Sequence, residues 1–209
     1  MDTTKQRYIN KLRQPYGLAM HVVPMYFERE ILNKTCSFFY FLEQNKHELF
    51  HAYINYAPCC MCNDSFEDSS ISRSVSLRRK QFHILYESTG QQNLDHEKRN
   101  EKYRIKPHCL CKYVPTQVKL IDLDITMLCA IINSCCIPTP GNAIEFNAIR
   151  DVRNFMNHIG ESTDISKSTF EEKWKILETC SLSLAEVTGE VHRHMIHTRF
   201  QDLKRANRY

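Results

Sequence analysis

One six-residue stretch, Arg153-Asn154-Phe155-Met156-Asn157-His158, contains side chains that could act on a phosphodiester. The guanidinium of Arg153 is a planar, permanently charged fork that fits phosphate oxygens. The imidazole of His158 has the unperturbed pKa nearest to neutrality, so it can accept or donate a proton. A histidine in the last turn of a helix is also common because it interacts favourably with the helix dipole. The spacing alone therefore leaves a structural role as the simpler interpretation.

Two groups of soft metal ligands lie farther toward the N-terminus, Cys59-Cys60-Met61-Cys62 and His108-Cys109-Leu110-Cys111. Four such side chains in a tetrahedral array are typical of structural zinc, and a Cys-x-x-Cys spacing is a familiar chelating pair. The predicted zinc ligands are Cys59, Cys62, Cys109 and Cys111. Cys60 or His108 could replace one of them, and reduced thiols near helix ends are the alternative interpretation. We do not expect catalytic zinc at these cysteines.

The composition favours a helical protein. Of 209 residues, 42% are hydrophobic and 25% charged, with only 5 glycines and 7 prolines, which argues against a design with many tight turns. The formal charge of +4 permits binding to a polyanion without requiring it. There is no secretory signal pattern and no apolar run near the roughly 18 residues of a membrane span. We therefore expect a cytoplasmic or nuclear protein without a membrane partner, whose 10 cysteines are thiols or metal ligands rather than disulfides.

Apolar periodicity predicts the elements that position these residues. Pro15 and Pro24 predict a short N-terminal helix and an irregular link. Long amphipathic helices are predicted at about 26–56, 120–136 and 142–159, and a further helix begins with a capping box at Ser168-Thr169-Phe170-Glu171. The segment 65–107 is polar with one apolar island at 82–86, which predicts an insertion without a core of its own. The expected fold class is all-α, an antiparallel bundle of four to five helices.

On a helical wheel, the third of these helices has an apolar arc and an opposite polar stripe. The apolar arc contains Ile149, Val152, Met156 and Ile159. The polar stripe contains Arg150, Arg153, Asn154, Asn157 and His158. One copy of the chain would therefore present an open strip rather than a pocket, and two strips related by a two-fold axis could enclose a phosphate.

Four segments together resemble the HEPN superfamily, the higher eukaryotes and prokaryotes nucleotide-binding domain. They are LDITML at 123–128, PTPG at 138–141, IRDVRNFMNH at 149–158 and FEEKW at 170–174. The pattern is most similar to the branch found in the DAZ-interacting zinc-finger ubiquitin ligase and in many animal proteins of innate immunity. The resemblance covers about residues 115–190.

This resemblance implies a HEPN-like helical bundle that forms a homodimer and acts on RNA as a metal-independent endoribonuclease. It implies that His158 assists proton transfer at the ribose 2′-hydroxyl, yielding a cyclic phosphate, that Arg153 steadies the scissile phosphate, and that Asn154 orients the site. Catalysis would need no cofactor, and zinc would be structural. The alternative is a catalytically silent interaction module within a larger immune or ubiquitin-pathway assembly.

These expectations divide the chain into three parts. Residues 1–58 would form an N-terminal helical part of the bundle. Residues 59–111 would be a polar insertion flanked by cysteines and tied by zinc at its base. Residues 112–209 would form the HEPN-like helical core that carries the Arg153–His158 motif.

Overall fold

The computed structural model of the protein describes residues 4–32, 36–62, 77–98, 106–136, 141, 143–158 and 165–207. It consists of two compact units. Unit 1 comprises Met1–Lys34 and Gly141–Tyr209, and unit 2 comprises Thr35–Pro140. The predicted boundaries at 58 and 111 do not coincide with this division. The prediction of a mainly helical protein is confirmed, since the described residues form eight α-helices and one two-stranded sheet.

Unit 1 is a bundle of four helices. They are α1 (Thr4–Tyr26), α6 (Ala143–His158), α7 (Lys167–Thr188) and α8 (Glu190–Ala206), and a π-helical turn, Phe27–Ile31, continues α1. Helix α7 packs against each of the other three. The side chains buried between them include Leu12, Val22, Val23, Phe146, Ile149, Val152, Leu177, Leu184, Ile196 and Phe200.

Two predictions for the N-terminal part of the chain are wrong. Pro15 and Pro24 lie inside α1, where a short helix and an irregular link were expected. Each proline removes a backbone hydrogen bond, but the apolar side chains of α1 are buried against α7, and this packing offsets the loss. The single helix expected at 26–56 is also absent. A separate helix, α2 (Phe38–Gln44), instead begins after Ser37, whose Oγ accepts a hydrogen bond from the backbone N–H of Tyr40.

The predicted start of the fourth helix is displaced by two residues. Ser166, not Ser168, is the N-cap of α7, and its Oγ accepts a hydrogen bond from the N–H of Thr169 at 3.1 Å. Helix α7 then ends at Gly189, whose φ of 125° is a conformation that other residues rarely adopt. Because helix α8 begins at Glu190, Val191 does not continue the apolar face of α7 and is 86% exposed.

Unit 2 contains short elements around helix α5 (Ile125–Cys135), which is almost wholly buried. Its other helices are α2 (Phe38–Gln44), α3 (Lys46–Tyr53) and α4 (Arg79–Leu85). Strands β1 (Tyr86–Glu87) and β2 (Val114–Pro115) pair antiparallel, with Tyr86 opposite Pro115. The described residues of the unit also form three 3₁₀ turns, at Leu94–Glu97, Leu110–Lys112 and Leu120–Asp122. The helix expected at 120–136 thus begins later, after the N-cap Asp124.

The apolar island at 82–86 is the centre of an aromatic core, which corrects the expectation of an insertion without a core. The ring of Phe82 stacks between those of Tyr53 and Tyr86, with centroids 4.8 and 4.9 Å away. Tyr113 and Phe50 meet the same ring edge-on. Short apolar segments can form a core when distant segments supply the other walls, and sequence periodicity does not detect this arrangement. In both units, none of the described helices is long and apolar enough to cross a membrane.

Candidate metal centres and the polar face of helix α6

Two groups of cysteine and histidine side chains in unit 2 could each hold a metal ion. The first group consists of His47, His51, Cys59 and Cys62, and the second group consists of Cys60, His96, Cys109 and Cys111. Within each group, the potential ligand atoms all lie within 4.8 Å of one another. The prediction of one site made by Cys59, Cys62, Cys109 and Cys111 is therefore corrected, because the structure places two of these cysteines in each group.

Helix α3 and the turn that follows it build the first group. His47 and His51 are four residues apart, so their side chains lie on the same face of the helix. Nε2 of His51 is 3.1 Å and Nε2 of His47 is 3.6 Å from Sγ of Cys62. The Sγ atoms of Cys62 and Cys59 are also 3.6 Å apart. The group is well shielded from solvent, since His51 and Cys59 are each only 2% exposed.

Outer contacts orient the first group toward its centre. Nδ1 of His51 lies 3.0 Å from the carbonyl oxygen of Ile54 and can donate to it, so that Nε2, the atom that faces Cys62, carries the lone pair that a metal would bind. The backbone N–H of Cys59 donates to Sγ of Cys62, and that of Met61 donates to Sγ of Cys59. The Cys59 thiol and the two histidines lower the pKa of Cys62 because they hydrogen-bond to its thiolate. The same contact with Cys62, together with burial, raises the pKa of Cys59.

Three separate segments of unit 2 meet in the second group. Nδ1 of His96 lies 3.7 Å from Sγ of Cys109 and 3.5 Å from Sγ of Cys111. The backbone N–H of Leu110 donates to Sγ of Cys60 at 3.2 Å. Burial would raise the pKa of Cys109, but hydrogen bonds from the backbone and from His96 outweigh it and lower that pKa to about 7. These donors favour the thiolate, which is the form that binds metals.

The backbone holds the two groups side by side. Cys59 forms an isolated parallel β-bridge with His108. The N–H of Cys60 donates to the carbonyl of His108 at 2.8 Å, and the N–H of His108 donates to the carbonyl of Pro58 at 2.9 Å. His108 therefore contributes main-chain contacts and belongs to neither group. Cys60, the other alternative ligand, belongs to the second group.

Three of the candidate ligands, His47, His51 and His96, were not predicted from the sequence. His47-Glu48-Leu49-Phe50-His51 on α3 has the His-Glu-x-x-His pattern of zinc hydrolases, which the sequence expectation overlooked. It precedes Cys59-x-x-Cys62 by eight residues, and the two cysteines take the positions that a hydrolytic zinc would leave for water or a third ligand. The sequence did contain a signal for these two histidines. His96 is 13 residues from Cys109 and has no partner at a chelating spacing, so only the fold brings it to the second group.

The polar face of helix α6 carries the three residues of the predicted RNA-cleaving site. Arg153 and Asn154 are partly buried, and His158, the last residue of α6, is exposed. Nη1 of Arg153 donates to Oδ1 of Asn154 at 3.1 Å. No contact joins Arg153 to His158 among the residues that the structure describes. The structure thus brings together the arginine and the amide of the motif, while the histidine lies apart.

The acidic residue next to Arg153 on this helix, Asp151, is paired with a different arginine. The neighbouring Asp151 is engaged by Arg150, whose Nη2 lies 3.4 Å from the carboxylate. No carboxylate within the described ranges lies at ion-pair distance from Arg153.

On the apolar face of α6, Ile149 and Val152 are buried as predicted, whereas Met156 is only partly buried. Ile159, the fourth residue of the predicted apolar arc, lies outside the described residues.

Unit 1 also contains a cavity of about 700 Å³ lined by α1, α7 and α8. Four lysines line it, namely Lys11, Lys167, Lys175 and Lys204. Three of them already contact acceptors, which are the carbonyl of Asn207, Glu171 and Glu178. The cavity therefore offers little uncommitted positive charge.

Comparison with known proteins gives no match. No family model fits the sequence, and neither a curated protein nor a solved structure is significantly similar to the chain. The function must therefore be argued from the chemistry of the side chains and their geometry.

Proposed function

We propose that this protein binds and cleaves RNA through Arg153, Asn154 and His158, as a HEPN-like, metal-independent endoribonuclease. The observation that carries the proposal is the contact of Arg153 with a neutral amide rather than with a carboxylate. A guanidinium has five N–H donors and Asn154 engages one of them, so its charge and its remaining donors are available to a phosphate. A guanidinium neutralised by a carboxylate would have lost most of this capacity.

The proposed chemistry gives each residue one task. His158, exposed at the end of α6, accepts the proton of a ribose 2′-hydroxyl as the oxygen attacks the adjacent phosphorus. Arg153 stabilises the negative charge that develops on the phosphate oxygens. Asn154 positions Arg153 through its Oδ1 atom. The attack breaks the bond between phosphorus and the 5′ oxygen of the next nucleotide and leaves a 2′,3′-cyclic phosphate. The departing 5′ oxygen takes a proton from a histidinium, which restores the neutral histidine.

The proposed site is completed by a second copy of the chain. A single α6 face is open, so one copy cannot exclude water from a phosphate or surround it with donors. Two α6 faces related by a two-fold axis would supply two arginines and two histidines to one RNA strand. We therefore propose a homodimer as the active form.

The test uses zinc-loaded protein and labelled single-stranded RNA in buffer without added magnesium. We expect cyclic-phosphate products, and the His158→Ala variant should be slower by about 100-fold or more, as for loss of a general acid or base. Arg153→Ala should be similarly impaired. Arg193→Ala is the matched control, because Arg193 lies on α8 and is paired with Glu186, and the rate of this variant should stay near that of the unmodified protein. Equal cleavage by all four proteins would assign the activity to a contaminant.

The absence of cleavage from every protein would also reject the enzymatic proposal. If the unmodified protein and His158→Ala then bind RNA or a partner protein equally well, the alternative of a catalytically silent interaction module is favoured. Size measurement of the same samples tests the dimer separately, because a monomer with full activity would remove the composite site.

We also propose that the metal of unit 2 is zinc and that its role is structural. Mixed imidazole and thiolate sets suit zinc, and four protein ligands leave no open position for a substrate or a reactive water. Metal analysis of protein purified without a metal-affinity tag is the direct test. Protein that is folded and free of zinc would contradict the proposal.

A further inference from the structure

We propose that unit 2 binds two zinc ions, one in each Cys/His group, and that neighbouring residues of the segment 59–62 serve different ions. This inference rests on the structural-zinc proposal and extends it to the number of ions and to their ligands. The first ion would take its ligands from the first group, with two nitrogens and two sulfurs. The second ion would take its ligands from the second group, with one nitrogen and three sulfurs.

The spacing of the ligand atoms fits tetrahedral zinc. With Zn–S near 2.3 Å and Zn–N near 2.05 Å, a tetrahedron places two sulfurs about 3.8 Å apart and a sulfur and a nitrogen about 3.6 Å apart. The two sulfurs of the first group are 3.6 Å apart, and Nε2 of His47 is 3.6 Å from Sγ of Cys62. In the second group, Nδ1 of His96 is 3.7 and 3.5 Å from its two nearest sulfurs. Of the measured pairs, the 3.1 Å from His51 to Cys62 departs most from this pattern.

The alternation along the chain argues for two ions rather than one. Cys59 and Cys62 belong to the first group, and Cys60 between them belongs to the second. Cys59 lies in a β-bridge, and successive side chains in extended backbone point in opposite directions. Neighbouring cysteines are therefore directed to different centres, and no ligand is shared.

Each proposed ion would join different elements of unit 2. The first ion would fasten the turn after α3 to α3 itself. The second would fasten that turn to the 3₁₀ turns Leu94–Glu97 and Leu110–Lys112, which carry His96 and Cys111. Cys111 is exposed, so the second ion would lie closer to solvent than the first, for which the buried His51 and Cys59 would be ligands.

The first experiment counts zinc and its neighbours in the full-length protein. Elemental analysis should give two zinc ions per chain. X-ray absorption at the zinc edge should give more sulfur than nitrogen neighbours, in the ratio of five to three that the two ligand sets require. One zinc per chain would overturn the two-ion inference while leaving structural zinc intact, and no zinc would overturn both.

The second experiment uses the neighbouring cysteines. Cys59→Ser and Cys60→Ser should each retain one ion, but not the same one. The ion left in Cys60→Ser should have equal numbers of sulfur and nitrogen neighbours, whereas the ion left in Cys59→Ser should have three sulfurs and one nitrogen. Identical residual spectra would reject the assignment of these two residues to different ions.

Matched controls come from residues of the same type outside both groups. His108→Asn keeps the main-chain contacts of His108 and should retain both ions. Cys180→Ser changes a cysteine of unit 1 and should also retain both. Loss of an ion from either control would contradict the ligand sets. If a Cys59 or Cys60 variant fails to fold, the spectrum and zinc content of the unmodified protein still decide between one ion and two.

Discussion

Replacement of Tyr86 by phenylalanine should strongly destabilise unit 2, although it removes only one oxygen atom. The side chain is fully buried, and its hydroxyl donates to the carbonyl oxygen of Leu42 at 2.6 Å. Burial also raises the pKa of Tyr86, so this hydroxyl remains protonated and able to donate. The carbonyl of Leu42 belongs to the last turn of α2, where carbonyl groups have no partner along the helix.

The expected cost follows from these contacts. Loss of a neutral hydrogen bond costs about 0.5–1.5 kcal/mol, and a buried carbonyl left without a donor costs about 1–3 kcal/mol. We expect the free energy of unfolding of unit 2 to fall by about 2 kcal/mol, which is a factor of about 30 in the unfolding equilibrium.

Tyr53→Phe is the matched control. The ring of Tyr53 stacks on Phe82 at nearly the same centroid distance as the ring of Tyr86. Tyr53 is partly exposed, so water can replace lost contacts of its hydroxyl. The cost of this change should be below about 0.5 kcal/mol.

The assay is native-state hydrogen exchange of the slowest amides in α3 and α5, with zinc held constant. Exchange through global opening of unit 2 should be about 30-fold faster in Tyr86→Phe and about twofold faster in Tyr53→Phe. Equal acceleration in both variants would refute the reasoning, because it would show that the Tyr86 hydroxyl contributes no more than a partly exposed one.

Three further changes have defined outcomes. Gly90→Ala would place a Cβ atom 2.2 Å from the carbonyl oxygen of Cys111, so the backbone must shift. We expect the free energy of unfolding of unit 2, measured in urea, to fall by about 1–3 kcal/mol and zinc to be released faster. Ser166→Ala removes the acceptor for the N–H of Thr169 and should cost about 1 kcal/mol, measured by urea unfolding with the fluorescence of the single tryptophan. Burial lowers the pKa of His192 below its unfolded value of about 6.5, so the unfolded state binds more protons than the folded state. The free energy of unfolding of unit 1 should therefore decrease as the pH falls through about 6.5 and below. The same fluorescence measured between pH 7.5 and 5 should show a flatter profile for His192→Gln, and an unchanged profile would assign the effect to another group.

The sequence predicted helices best where apolar periodicity was long and uninterrupted. The helix expected at 142–159 matches α6 closely, because its apolar positions and its end are both marked. The full length of helix α1 was missed because proline is a strong local signal against a helix. The packing of α1 on α7 offsets this signal, and that packing cannot be seen in the sequence of one segment. The core around Phe82 was missed for the same reason, since its walls come from distant parts of unit 2.

The candidate sites show the same limit. Residue type identified Cys59, Cys62, Cys109 and Cys111 as potential ligands, but their grouping depends on the direction of each side chain. The β-bridge of Cys59 sets that direction, and it involves a residue 49 positions away in the chain. On α6, the sequence indicated which residues share a face. It could not indicate that Arg150 rather than Arg153 engages Asp151.

The different lengths of chain enclosed by the two metal groups imply an order of assembly. The ligands of the first group lie within residues 47–62, whereas those of the second extend over residues 60–111, a segment more than three times as long. Closing the longer loop costs about 1 kcal/mol more in chain entropy. Helix α3 already places His47 and His51 of the first group together, so we expect the first of the two proposed ions to need only this short segment in order to bind. The second proposed ion needs His96 and Cys109 brought to Cys60 first, so we expect it to bind after the first.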